Sequence, residues 1–282
     1  MLHITCNGKP LTVPDGALLQ QTAHQQLPTA SVVILNGFQT AEEQPLRDGD
    51  SITVIEKGVM PPEDVLEHMM ASRHSPQVHA RVKQACVGIA GLGGLGSNIA
   101  AMLARTGVGH LILVDFDTVE PSNLNRQNYY VSHLGMPKAE ATAALLHEIN
   151  PFIHIEHHRV RIDASNAVSI FGGCDIVCEA FDNPDCKAEL VSTLLSETRH
   201  IRIVAGSGMA GYGSCNEIVT KRRMSRLYVC GDEKTAAENG VGLMAPRVSV
   251  CAGHQANMVL RLLLDLDTPY PFHILFLYIF IP

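Results

Sequence analysis

The stretch Cys86-Val-Gly-Ile-Ala90-Gly91-Leu92-Gly93-Gly94-Leu95-Gly96-Ser97-Asn-Ile-Ala-Ala-Met-Leu-Ala-Arg-Thr106 decides the fold. Residues 86–90 are an unbroken apolar run of strand length, residues 91–96 are rich in glycine, and residues 97–106 carry a helical pattern. A second apolar run, residues 111–115, closes on Asp115. Glycines between a strand and a helix let the backbone approach a phosphate closely. The helix start adds unpaired N–H groups and a partial positive charge. An acid about 20 residues further on can accept hydrogen bonds from ribose hydroxyls. The unit therefore reads as a site for a nucleotide with a ribose, without choosing between NAD and ATP.

On the C-terminal side, a helix over residues 137–150 has proline in its first turn. Residues 153–160, 175–178 and 201–205 read as three more strands, separated by helical segments near 164–170 and 185–197. Strand alternating with helix predicts a parallel, doubly wound sheet. Residues 206–242 break that rhythm with a glycine-rich loop, a strand pair and a polar loop, and a long helix follows over residues 245–266. On the N-terminal side, residues 2–6 and 11–13 flank Asn7-Gly8-Lys9, a hairpin signal. Asp15 is placed to cap a helix over residues 17–26. Residues 31–35 are a β-branched run ending in Asn36-Gly37, and residues 51–56 alternate as a final strand after a turn at 46–50. Hairpin, helix, strand, turn, strand is the order of a β-grasp fold. The expected fold class is α/β: a Rossmann-like, doubly wound, mostly parallel sheet over residues 85–269, with a small α+β β-grasp domain over 1–57 and a linker with a short helix over 58–84. The apolar tail at residues 270–282 is too short to cross a bilayer, and it reads as an extra edge strand, an interface segment or the product of a shifted reading frame.

Hydrophobic residues make up 46% of the 282 and charged residues 17%, against about 25% charged in a typical soluble domain. So little charge predicts surface buried against a second copy, hence a homodimer. A net charge of −7 argues against nucleic-acid binding, and the short basic run Lys221-Arg222-Arg223 reads as a solvated strand end. No basic-then-apolar leader opens the chain, and no window is apolar enough to span a membrane. The expectation is a cytoplasmic protein with its eight cysteines reduced. No Cys-x-x-Cys pair occurs, so no structural zinc is expected. Of the fourteen histidines, His154, His157 and His158 fall on one strand, where alternation puts His154 and His158 on one face and His157 on the other. They read as a solvated strand face.

Asp115-Phe-Asp117-Thr-Val-Glu-Pro-Ser-Asn123-Leu-Asn125-Arg126-Gln127 packs polar groups directly after the ribose-binding acid, and Lys138 opens the next helix. Hydride transfer has no use for cations there. Attack of a carboxylate on an α-phosphate does, because charge builds on the phosphate oxygens and on the departing pyrophosphate. A surface ion pair for Arg126 and a solvated helix start for Lys138 are the bland alternatives. Asp182, in Glu179-Ala-Phe-Asp182-Asn183-Pro, lies just past a strand whose carboxyl end faces the nucleotide crevice, where a carboxylate can hold Mg²⁺ between phosphate oxygens. Asp182 or Asn183 can equally cap the helix that follows.

The glycine loop, Asp115-x-Asp117, the Asn-x-Asn-Arg-Gln box, Lys138 and Asp182-Asn183 together resemble the adenylation domain of the ubiquitin-activating superfamily. Within it, the chain is similar to the ThiF-type sulfur-carrier adenylyltransferases of thiamine synthesis. Gly206–Gly213 and Leu243-Met-Ala-Pro-Arg247 look like the branch with a fused ThiS-like N-terminal domain. The resemblance implies a homodimer that uses ATP and Mg²⁺ to activate the C-terminal carboxylate of a small ThiS-like carrier, with a sulfur donor enzyme as a further partner. It implies ATP contacts from Gly91, Gly93, Gly94, Gly96, Asp115, Asp117, Asn123, Asn125, Gln127 and Asn183, phosphate contacts from Arg126 and Lys138, and the metal on Asp182. Arg73 is similar to the arginine that reaches into the neighbouring subunit's site. Three features depart from the family pattern. The Cys-x-x-Cys zinc pairs of many members are missing. Cys215 and Cys230, near the crossover loop, have no activating neighbour in sequence and read as buried, inert thiols. The N-terminal module runs on through Glu56-Lys57-Gly58-Val59 and so has no free Gly-Gly carboxylate to activate, which makes it a docking, regulatory or stabilising module. The competing functions are activation of another carboxylate (a tRNA-modifying or molybdopterin-type member), an NAD-dependent oxidoreductase, and a non-catalytic interaction module on a degenerate nucleotide fold. The second leaves Arg126, Lys138 and Asp182 without roles.

Overall fold

The computed structural model describes residues 1–74 and 76–266. The apolar tail at 270–282 lies outside the described residues. The chain divides into two compact units, Met1–Arg81 and Val82–Pro282.

In the first unit, β1 (Leu2–Cys6) and β2 (Lys9–Val13) form a hairpin, followed by α1 (Leu19–Gln26), β3 (Val32–Leu35), β4 (Phe38–Gln39) and β5 (Ser51–Ile55). The sheet order is β2-β1-β5-β3-β4, with β1 parallel to β5 and its other pairs antiparallel. Both hairpin turns are Asn-Gly pairs in the left-handed region, Asn7 and Gly8 at φ 46° and 77° and Asn36 and Gly37 at 50° and 92°. Two-residue hairpins select that geometry because its twist matches the strands. Leu19, Ala23 and Ile52 are wholly buried between helix and sheet. Asp15 does not cap α1. The helix starts at Leu19 with no side-chain cap, and the Asp15 carboxylate accepts from the Met1 amino group instead. The linker holds two helices where one was expected, α2 (Glu63–Met70) and α3 (Pro76–Gln84).

The second unit runs β6 (Cys86–Ala90), α4 (Gly94–Thr106), β7 (His110–Val114), α5 (Lys138–Ile149), β8 (His154–His158), α6 (Ala167–Phe171), β9 (Ile176–Glu179), α7 (Pro184–Glu197), β10 (Arg202–Gly206), β11 (Val219–Met224), β12 (Leu227–Gly231) and α8 (Ala245–Leu263). Its sheet order is β11-β12-β10-β9-β6-β7-β8, parallel throughout except for the β11–β12 pair. Ile89, Leu111 and Leu113 face one core layer with α4, α5 and α8, while Ile112, Val114 and Ile203 face the other with α6 and α7. After β6 the chain builds β7 and β8 on one side, then crosses to build β9 and β10 on the other. Crossovers leaving β6 and β9 in opposite directions open a crevice at their carboxyl ends, where ligands of such sheets bind. Helix α4 begins three residues earlier than the sequence pattern suggested, because Gly94 and Gly96 lie inside its first turn.

Candidate active site

The crevice is a cavity of about 730 Å³ in the second unit, floored by the ends of β6, β7, β9 and β10. That is within the range of small-molecule and cofactor pockets, about 300–1,000 Å³. Its glycine loop is held by close approaches that side chains would prevent. Gly91 has φ 88°, and a Cβ on it would lie 3.0 Å from the Ala180 carbonyl. A Cβ on Gly96 would lie 1.8 Å from the Gly91 carbonyl oxygen, so the first turn of α4 can lie against the loop only without a side chain there. Gly96 thus sets the packing of the loop, while Gly91, Gly93 and Gly94 line the cavity at the amino end of α4. An N-terminus there favours an anionic ligand.

Asp115 follows the last residue of β7 and is buried. One carboxylate oxygen accepts from the Leu92 N–H at 2.7 Å and the other from the Asp117 N–H at 2.8 Å, which ties the acid to the glycine loop. Burial pushes its carboxyl up from the usual range, and the Lys138 charge pulls against that. Lys138 is buried at the first position of α5, and its Nζ donates to Asp117 Oδ2 at 3.1 Å. Asp115, Asp117 and Lys138 all line the cavity, as do Arg126 and Gln127. The Arg126 guanidinium donates to Ser122 O at 3.1 Å and Asn125 Oδ1 at 2.8 Å. Gln127 is buried, and its Oε1 has no hydrogen-bond partner among the described residues. A buried amide oxygen left that way is costly without a donor. Asn123 and Asn125 do not line the cavity. Asn123 Oδ1 accepts from the Glu120 N–H at 3.0 Å in a short 3₁₀ turn, and exposed Asn125 donates to Leu243 O at 3.3 Å while orienting Arg126.

The structure divides the pair Asp182-Asn183. Asn183 is the cap of α7: its Oδ1 accepts from the Asp185 N–H at 2.9 Å and the Cys186 N–H at 3.0 Å. Asp182 also lines the cavity, but it is exposed and its carboxylate has no hydrogen bond or ion pair among the described residues. A hard, unpartnered oxygen donor lining a cofactor-sized cavity fits Mg²⁺. Arg73 is exposed in the turn that follows α2, in the first unit.

Two buried ion pairs escaped the sequence reading. Glu179, at the end of β9, is 1% exposed and receives Lys187 Nζ at 2.9 and 2.8 Å, and the same ammonium donates to Gly206 O at 2.9 Å. Burial pushes the Glu179 carboxyl up while Lys187 opposes that, and Lys187 lines the cavity. Asp232 and Arg247 form the second pair, each 2% exposed at the side chain. Burial alone would raise the Asp232 carboxyl. Donors from the Thr235 and Lys234 backbone, the Thr235 hydroxyl and Arg247 outweigh it and hold the group at about 2. A charge at the end of an otherwise apolar strand was the available signal for Glu179; its partner depends on how α7 packs. Among the thiols, Cys230 is buried and pushed up to about 12 by that burial, whereas Cys215 is only half-buried, unlike the reading from sequence. Cys186, which the sequence did not single out, lines the cavity.

Known proteins share these features. The model of the ThiF family matches residues 66–278, and that of ThiS-like ubiquitin matches residues 2–58. The chain is 31% identical over 196 residues to an adenylyltransferase and sulfurtransferase of Yarrowia lipolytica, across 67% of this chain and 48% of that protein. It is 37% identical over 116 residues to a sulfur carrier protein adenylyltransferase of Thermus thermophilus, across 41% of this chain and 43% of that protein. The matched stretches thus span about half the length of these relatives. The E. coli tRNA N6-threonylcarbamoyladenosine dehydratase, solved in complex with ATP, superposes with a TM-score of 0.65 at 20% identity, over 73% of this chain and 98% of that one, which is a likeness of fold. No described helix is long and apolar enough to cross a membrane. A glycine loop tied to a buried acid on a parallel sheet, in a chain that opens with a β-grasp unit, agrees with the match of most of the sequence: the chain belongs to the ThiF family, with a ThiS-like ubiquitin domain at its N-terminal side.

Proposed function

We propose that the chain transfers AMP from Mg-ATP to the C-terminal glycine carboxylate of a small ThiS-like sulfur-carrier protein and releases pyrophosphate, in the thiazole branch of thiamine biosynthesis. The observation that carries this reading is the company Asp182 keeps. An unpartnered carboxylate, the cations Arg126 and Lys138 and a glycine loop tied to Asp115 share one cavity. Hydride transfer would leave the first three idle.

In this reading Asp115 accepts from the ribose, and the amino end of α4 with Gly93 and Gly94 receives the phosphates. Gln127 offers its unpaired oxygen to a ligand donor. A carrier carboxylate oxygen attacks the α-phosphorus and forms a new P–O bond. The bond to the bridging oxygen breaks, and its electron pair leaves with pyrophosphate. Arg126 and Lys138 remain cationic and offset the charge that builds on the phosphate oxygens. Asp182 would hold Mg²⁺, which when bound neutralises phosphate oxygens as a Lewis acid. The ammonium of Lys138 is already fixed by Asp117, so little reorganisation is needed as charge develops.

Carrier-dependent exchange of labelled pyrophosphate into ATP tests the reaction. The expected result is exchange that requires Mg²⁺ and a carrier ending in Gly-Gly; tight NADH binding with no exchange for any such carrier would overturn it. The homodimer and the part played by Arg73 belong to the same proposal. Inactive Arg73→Ala and Asp182→Ala subunits, mixed and allowed to exchange, should recover part of the activity. No recovery after proven subunit exchange would contradict a site completed by the neighbouring subunit.

A further inference from the structure

The nucleotide chemistry does not use the opposite edge of the same sheet, where β7 and β8 begin. His110 and His154 are the first residues of these two strands and are paired in register. Alternation along β8 brings Glu156 and His158 onto the face that carries His154, and His157 onto the other. The rings of His110 and His154 stand 4.5 Å apart. His110 Nε2 lies 3.7 Å from one Glu156 oxygen, and His158 Nε2 lies 2.7 Å from the other. One donor atom from each of His110, His154 and Glu156 falls within 4.8 Å of the other two.

A solvated strand face accounts for exposed His154 but not for His110. The His110 Nε2 atom is buried and has no hydrogen-bond partner among the described residues, since the nearest carboxylate oxygen is beyond bonding distance. A buried ring nitrogen aimed at a carboxylate and a second imidazole is costly unless something sits between them.

We propose that His110, His154 and Glu156 bind one divalent transition-metal ion of the zinc class, with His158 as the group that orients Glu156. Two imidazoles and a carboxylate suit such an ion in donor chemistry. With bonds of about 2.0–2.2 Å, donors on a shared ion lie no more than about 4.4 Å apart. The His110–Glu156 separation already meets that limit, and the exposed His154 ring can close the rest by side-chain rotation. The hydrogen bond between His158 and the remaining Glu156 oxygen is the kind of outer-shell contact that fixes a ligating carboxylate. The fourth position is left to water. β8 is the edge strand of the sheet, so the ion ties that edge to β7. His110 and His154 lie five strand residues, about 16 Å, before Asp115, while the other end of β8 reaches it, where the His158 carbonyl accepts from the Asp115 N–H at 3.2 Å.

The test is a calorimetric titration of metal-free, full-length protein with Zn²⁺, backed by thermal melts and by the visible absorption of Co²⁺. The expected result is one ion per chain, a higher melting temperature, and a Co²⁺ spectrum that Zn²⁺ abolishes. His154→Gln, at an exposed position that should fold normally, should weaken binding at least about 100-fold, and His158→Ala about 10–100-fold. His24→Ala, an exposed histidine in α1, should bind as the wild type does. Zn²⁺ binding that His154→Gln leaves unchanged, or no binding at one equivalent by the wild type, would overturn the proposal.

Discussion

The two edges of the parallel sheet handle buried polar groups differently. At the carboxyl edge the buried acids come with donors. Asp115 is held by two backbone N–H groups, Glu179 by Lys187, and Asp232 by Arg247 and the Thr235 donors. The Gln127 oxygen at the cavity, Arg247 Nε and Gln255 Oε1 are buried there without a hydrogen-bond partner among the described residues, and the exposed Asp182 carboxylate at the cavity has none either. At the amino edge, the buried His110 Nε2 has no hydrogen-bond partner among the described residues and stands 3.7 Å from Glu156, beside His154. Paired acids hold a shape that does not depend on a ligand, and unpartnered polar atoms that face a cavity or other donors are where a ligand can bind.

The sharpest way to break that contrast is to unpair a satisfied group. Arg247→Met leaves Asp232 as a buried, uncompensated charge, and urea unfolding should show a loss of about 3–5 kcal/mol. A loss below about 1 kcal/mol would remove the pair from the scaffold. The same carboxyl sets a pH dependence. Its pKa is lowered on folding, so its contribution is present above the unfolded value of about 3.9 and is lost as pH falls toward about 2. Acid unfolding of Asp232→Asn should lack that component; an unchanged acid limb would contradict the assignment.

Asp182→Ala, at an unsatisfied group, should behave in the opposite way. Pyrophosphate exchange should fall by on the order of 10²-fold or more, with no change in melting temperature, because the residue caps nothing. Unfolding of this variant would mean that the carboxylate is structural after all. Its neighbour sharpens the point: Asn183→Ala should cost about 1 kcal/mol of stability through the lost α7 cap, with a much smaller fall in exchange. The smallest effect is expected at the far edge, where His154→Gln should leave exchange within about twofold of the wild type, and a large loss would show that the two edges are coupled.

How much of this was legible in the sequence followed the range of the contacts. The glycine loop and Asp115 were readable because strand, loop and helix are adjacent, and the Asn7-Gly8 turn because its geometry is local, whereas the short β4 after Asn36-Gly37 was not expected. Asp15 misled because the start of α1 is set by pairing further along the chain: Leu18 bridges Pro45, and the Leu19 N–H bonds Gln44 O. Asp182 and Asn183 could not be separated, since either side chain can cap a helix, and only the bonds to Asp185 and Cys186 assign the cap. The Asp232–Arg247 pair joins a loop to α8, and the His110–His154 contact depends on strand register, so neither is written in any one segment.

The central claim is an acyl-adenylate on a carrier, and mass spectrometry of the carrier looks for that bond directly. After incubation with this protein and Mg-ATP, a small ThiS-like carrier ending in Gly-Gly should gain the mass of AMP at its C-terminal glycine. The Asp182→Ala protein should give little or none, and the full-length chain should carry no adenylate on its own N-terminal unit, because Gly58 continues into Val59. An unmodified carrier across a panel of Gly-Gly-ended proteins, with the enzyme folded and binding ATP, would contradict the account.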